Sequence, residues 1–304
     1  MDGALLLVAA NEKCPQPQTK EHLIALQTIG IKKIIIIQNK IDIITKEMAR
    51  LNYQQIRDFT KGTIAEKAPI IPVSAQHNIN IDKILETIEE TIKTPERDLK
   101  KSPLMLIARS FDINKPGTKI QKLSGGVLGG TIKQGKLKLK DKITILPGRK
   151  VEEKGQTKWI PIETEIVDIK SGKNSVKEIQ PGGSMAILTK LDPSIIKSDQ
   201  LTGNVIGLKD QMPPVWEKLK IKPSLLDTVV GSKQELKVSP IKKGEPLMLN
   251  INSATTAGIV TKLEKDIIHI TLKRPICAEE NSKLAISRRI GTRWRLSGCL
   301  INIR

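Results

Sequence analysis

Ile34–Asp42 reads IIIIQNKID, and these nine residues decide the first part of the fold. A short, continuous apolar run that stops at a polar turn suits a strand covered on both faces. Two further runs of this kind flank it, LLLVAA at Leu5–Ala10 and IIPV at Ile70–Val73. The segments between them keep helical spacing. Thr19 is placed to cap a helix running to Gly30, with Leu23, Leu26 and Ile29 on one face. Ala49, Tyr53 and Ile56 continue the helical period to near Gly62, and Ile81, Ile84, Leu85, Ile88 and Ile92 follow it closely. Strands alternating with helices predict βαβ units and a doubly wound parallel sheet over residues 1–97.

Beyond that the texture changes. TPERDLKKSP at Thr94–Pro103 has the composition of a linker. After it the period of 3.6 gives way to a period of two, in KLKLK at Lys136–Lys140, Ile143 with Ile145, Ile160 with Ile162, and Ile268, Ile270 and Leu272. Gly, Pro and Asn clusters interrupt these segments, as in β-barrels. QMPP at Gln211–Pro214 divides the region in two. The expected class is α/β followed by all-β, with domains at 1–97, 98–210 and 211–304, the last two being antiparallel barrels.

Composition narrows the partners. The 304 residues carry a formal net charge of +19, of which only +1 falls in residues 1–100 and +18 in residues 101–304. The skew suggests a polyanion met by the later domains, against the alternative of a uniformly lysine-rich proteome. At 2% aromatic residues, backbone and shape recognition of a folded RNA fits better than a base-stacking platform. Cys14, Cys277 and Cys299 are odd in number and form no CxxC pair, which excludes a disulfide framework and gives no support for structural zinc. No apolar run approaches the ~20 residues of a membrane span. A reducing, cytoplasmic setting is expected.

The polar turn after Ile34–Ile37 carries candidate chemistry. Asn39, Lys40 and Asp42 form an NKxD element at the carboxyl end of a predicted parallel strand, where open α/β sheets bind ligands. The Asp42 carboxylate can accept two hydrogen bonds from guanine, at N1–H and the 2-amino group. Adenine offers no such pair and would leave the charge unpaired. Asn39 would tie the base edge to neighbouring loops, and the Lys40 stem would cover one face of the base. The next strand ends in Ser74, Ala75 and Gln76, an SAx element whose Ala75 N–H would approach guanine O6. The alternative is two unrelated polar loop tips.

With these elements stand further stretches: MDGALLLVAANEKCPQPQTKEHLIAL, APIIPVSAQH, SFDINKPGT, SGGVLGGTIKQGKL, PGGSMAILTKLDP, LTGNVIG and ISRRIGTRWRLSG. In order along the chain, they resemble the gamma subunit of archaeal and eukaryotic translation initiation factor 2, an elongation factor Tu-like translational GTPase. The resemblance implies a partial P-loop-type GTPase domain and two β-barrels. It implies GTP or GDP with Mg²⁺ as cofactor and delivery of methionyl initiator tRNA to the small ribosomal subunit. The implied partners are the alpha subunit on the second domain and the beta subunit on the GTPase domain. No GxxxxGK[ST] occurs, so the phosphate loop, its Lys and its Mg²⁺-binding hydroxyl are missing from the sequence. By the family pattern these, the switch segments and a cysteine-based zinc knuckle would precede Met1. The chain is therefore read as an N-terminally truncated member with an apolar edge at Leu5–Ala10, inactive in hydrolysis by itself. A nucleotide-free RNA-binding or assembly scaffold is the other functional reading.

Two features have open readings. Arg288, Arg289, Arg293 and Arg295 around Trp294 form either an RNA-phosphate surface or the basic outer face of a strand with Trp294 and Leu296 inward. SGGVLGG at Ser124–Gly130 resembles a phosphate loop, but without K[ST] or a following helix it reads as barrel bends. His22, His77 and His269 are scattered and are assigned no catalysis.

Overall fold

The computed structural model describes residues 2–153, 155–226, 238–280 and 282–301. They fall into two units. The first holds Met1–Glu96, Ser224–Pro240 and Ala285–Cys299, and the second holds Arg97–Pro223, Ile241–Leu284 and Leu300–Arg304.

In the first unit, β1 (Ala4–Ala9), β2 (Ile34–Asn39) and β3 (Ile70–Pro72) form a parallel sheet in that order. Helices α1 (Pro17–Ile29), α2 (Lys46–Thr60) and α3 (Ile81–Thr91) cover it. The isoleucine run divides its side chains between the two faces, as the strand period of two requires. Ile34 and Ile36 pack with Leu23 of α1 and Ile56 of α2, while Ile35 and Ile37 pack with Ile84 and Ile88 of α3. All four are buried, which explains why the run is continuous rather than alternating. Among the described residues β1 pairs only with β2, and its Leu7 is 59% exposed.

One helix boundary differs from the sequence reading. α1 starts at Pro17, with Gln16 at the N-cap and no side-chain cap, so Thr19 lies inside the first turn. Proline at the first helical position lacks the N–H that would need a cap and has its φ already set. Gly30 ends the helix in the left-handed conformation, as expected.

In the second unit, β4 (Leu104–Phe111), β5 (Val127–Gln134), β6 (Leu137–Lys138), β7 (Lys142–Glu153), β8 (Gln156–Ser171), β9 (Asn174–Ser175), β10 (Glu178–Ile179), β11 (Met185–Thr189) and β12 (Val205–Leu208) precede the QMPP break. The order β11-β5-β4-β12-β7-β8-β9, with β11 also paired to β8, closes an antiparallel barrel. Its core gathers Met105, Leu128, Ile143, Ile145, Ile166 and Ile187, all almost fully buried. Alternation fails at Ile160, which is 42% exposed beside buried Ile162, because the β7–β8 ladder slips between Ile145 and Arg149. In SGGVLGG, residues from Val127 onward enter β5, and a Cβ at Gly130 would overlap the Leu106 carbonyl. The segment is a barrel strand with its approach.

After the break, β13 (Val215–Ile221), β15 (Pro246–Ile251), β16 (Ala254–Glu264) and β17 (Ile267–Cys277) of the second unit form antiparallel ladders in the order β13-β17-β16-β15. Ile268 and Ile270 on β17 are buried, as their spacing predicts. The first unit receives β14 (Ser224–Leu225), β18 (Lys283–Ile290, from Ala285 onward) and β19 (Arg293–Ile301), in the order β18-β19-β14. The architecture is α/β followed by an antiparallel barrel and half-barrel. Among the described residues no helix is long and apolar enough to cross a membrane.

Candidate guanine-reading site

The site begins where β2 and β3 end. Backbone bonds hold the two exits side by side: Val73 N–H donates to the Gln38 carbonyl at 2.8 Å, and Ile41 N–H to the Val73 carbonyl at 3.3 Å. Asn39 then joins them through its side chain. Its Oδ1 accepts from Lys40 N–H at 2.8 Å and from Ala75 N–H at 3.1 Å. The Ala75 N–H expected to meet guanine O6 is thus directed at Asn39, so a bound base must share or replace that bond. Lys40 turns the chain with a φ of 67°, a left-handed conformation uncommon outside glycine, and its side chain is exposed.

Asp42 follows in a single 3₁₀ turn, Ile41–Ile43. Its carboxylate is held below the usual carboxylate range, first by a hydrogen bond from the Ser74 hydroxyl, with its own backbone N–H, His77 and Lys40 adding to the effect against partial desolvation. Ser74 is fully buried, and its Oγ accepts from His77 N–H at 3.3 Å while serving Asp42. His77 Nε2 lies 3.8 Å from the Asp42 carboxylate, whose side chain is 18% exposed. This arrangement keeps Asp42 ionised and its oxygens fixed, as acceptance of two N–H bonds requires. Gln76 is exposed. Asn39, Lys40, Asp42, Ser74 and Ala75 therefore converge, and Gln76 stands at the rim.

Sequence reading missed the support beneath. Gln38 is buried and donates to the Ala49 carbonyl at 2.8 Å and to Asn52 Oδ1 at 2.9 Å. Asn52 in turn donates to the Glu12 carbonyl at 2.8 Å. The chain of bonds ties the end of β2 to α2 and to the loop after β1. Its one sequence signal was a polar residue, Gln38, interrupting an apolar strand before the motif.

The arginine cluster is not brought together. Arg288 is 8% exposed and donates to the carbonyls of Ser239 and Pro240. Neither of the two readings of the cluster describes Arg288: on β18 it alternates inward with Leu284 and Ile286, and it donates to backbone carbonyls. Arg289 faces outward. Arg293 and Arg295 line a cleft of about 630 Å³ with Glu12, Lys13, Gln16 and Asn39, and Arg295 pairs with Glu21 at 3.5 Å. Trp294 is 39% exposed rather than fully inward.

Two loops that hold a fixed carboxylate thus meet at the carboxyl ends of adjacent parallel strands. Residues 1–94 match the family model described as Elongation factor Tu GTP binding domain, and residues 217–301 match Initiation factor eIF2 gamma, C terminal. The chain is 56% identical to the translation initiation factor 2 subunit gamma of Methanocaldococcus jannaschii, over 98% of its own length and 72% of that protein. It is 54% identical to the same subunit of Archaeoglobus fulgidus, over 98% and 70%. The chain belongs to the translation initiation factor 2 gamma subunit family. Its fold is also that of the crystal structure of a bacterial selenocysteine-specific elongation factor, EF-Sec, with a TM-score of 0.76 at 21% identity, covering 99% of this chain and 44% of that one. A Methanococcus maripaludis elongation factor SelB structure, solved with the GTP analogue GPPNHP, gives a TM-score of 0.75 at 21% identity over 99% and 65%.

Proposed function

We propose that Asn39, Lys40, Asp42, Ser74, Ala75 and Gln76 read the guanine base of GTP or GDP. The observation that carries this is the Asn39–Ala75 hydrogen bond beside an ionised Asp42, at the carboxyl ends of β2 and β3. The donor and acceptor set fits the base. It does not extend to the rest of the cofactor. The sequence has no GxxxxGK[ST], and among the described residues no group of three or more His, Cys, Asp or Glu is placed to hold a metal ion. No hydrolytic step is derived for Mg²⁺ or the phosphates from this chain's residues. Base contacts alone supply on the order of 4 kcal/mol, which corresponds to millimolar binding.

The physiological role that follows is translation initiation in the cytoplasm. The protein carries methionyl initiator tRNA to the small ribosomal subunit as part of a complex with alpha and beta subunits, GTP hydrolysis releasing it. Family membership supports this reading. The division at 97/98 and 210/211 into a GTPase part and two β domains belongs to the same proposal. Arg289, Arg293 and Arg295 stand as RNA-phosphate candidates, Arg295 with its charge already shared by Glu21. The net charge of +18 in residues 101–304 favours a second reading, a scaffold that binds RNA without nucleotide. Filter binding of methionylated initiator tRNA separates the two. Binding strengthened at least tenfold by GTP in the protein joined to a phosphate-binding segment supports the carrier. Equal binding with and without GTP supports the scaffold.

A further inference from the structure

The β7–β8 hairpin of the second unit carries a cleft that shares no residue with the guanine-reading loops. Where its ladder slips, Gly148 has a φ of 94°, and a Cβ there would overlap the Ile160 carbonyl. Beyond the slip, Lys150 stands opposite Trp159. Arg149, Lys150 and Trp159 line one side of a cleft of about 330 Å³, and Ser194 and Gln200 line the other.

The indole has a cation over its ring. The Arg274 guanidinium lies 5.3 Å from the Trp159 ring centroid, and its Nη2 is buried without a hydrogen-bond partner among the described residues. The ring is therefore the visible counterpart for this half of the cation. Trp159 lines the cleft and Arg274 does not. Among the described residues the side chains of Arg149 and Gln200 have no hydrogen bond or ion pair. Lys150 is tied only to Glu152, 2.8 Å away on the same strand, and both are well exposed. Such a pair is weak and gives way to a stronger anion.

We propose that this cleft binds one unpaired nucleotide of RNA. Its base stacks on Trp159, the Gln200 carboxamide meets the base edge, and Arg149 and Lys150 hold the phosphate. An aromatic ring beside one unpaired and one weakly paired cation is the combination single-stranded nucleic acid requires. The volume is at the small end for ligand sites and suits one nucleotide rather than a duplex. Low aromatic content argues against an extended stacking platform, and one indole is consistent with that.

The test uses the full chain labelled with ¹⁵N at the indole nitrogens of Trp159, Trp216 and Trp294. Trp159→Phe assigns the Trp159 signal while keeping a ring in place. Titration with a six-residue adenylate RNA is expected to move that signal selectively, and Arg149→Ser with Lys150→Ser, both surface changes, to weaken binding about tenfold. AMP is expected to move the same signal with lower affinity. AMP as tight as the RNA would make a free nucleotide, not RNA, the ligand. A Trp159 signal unmoved by RNA, moved equally by tripolyphosphate, or titrating unchanged in the doubly substituted chain would overturn the site.

Discussion

Asn39 and Ala75 lie 36 positions apart and share a hydrogen bond, whereas Arg288 and Arg289 are neighbours and part company. The first pair sits at the exits of two parallel strands, where the sheet aligns loops that are remote in sequence. The second pair sits within one strand, where successive side chains point to opposite faces. Proximity in sequence is therefore a poor guide to a shared site in a β-strand, and topology is a good one in a parallel sheet.

The contrast can be broken at its strongest point first. Asp42→Asn is expected to lower guanosine binding by about 100-fold and to bring in xanthosine, whose 2-oxo group an amide can meet. Saturation-transfer NMR with both nucleosides reads this, and undiminished guanosine binding would detach Asp42 from the site. Next, Ile35→Ala should destabilise the first unit by about 3 kcal/mol, since the side chain is fully buried against α3. Thermal denaturation followed at the far-ultraviolet band would record it.

Arg288→Ala is expected to cost about 2 kcal/mol by leaving the Ser239 and Pro240 carbonyls without their donor, while Arg289→Ala stays within about 0.5 kcal/mol. Urea unfolding compares the two, and equal midpoints would erase the distinction drawn between them. The smallest effect concerns pH. Lys262 and His269 hold Glu264 down at about 2, so its contribution to stability is present above the ordinary carboxylate range and is lost as pH falls toward 2. In Glu264→Gln that increment of acid sensitivity should vanish, with stability at neutral pH slightly lower.

How much was legible follows the same division. The isoleucine run announced a strand buried on both faces, and the polar turn after it marked the loop now proposed to read the base. The Gln38–Asn52–Glu12 bonds were not legible, because a buried polar residue finds its partners only through the packing of α2. The start of α1 was misplaced because Thr19 gave a capping signal where Pro17 had already set the first turn. The inward turn of Arg288 was not legible because four basic residues in a row of eight suggest one surface, while the strand period sends one of them inward. The Trp159 cleft depends on the slip at Gly148, which a period of two does not reveal.

The proposed reading has two loops of this chain recognise guanine in a sequence that carries no GxxxxGK[ST]. Titrating the ¹⁵N-labelled chain with guanosine and, separately, adenosine tests it most directly. Millimolar, guanosine-selective shifts are expected at the backbone amides of Lys40, Asp42 and Ala75, with the Ala75 signal moving most as its bond to Asn39 is shared with the base. Equal shifts with adenosine, or none at these amides at saturating guanosine, would contradict it.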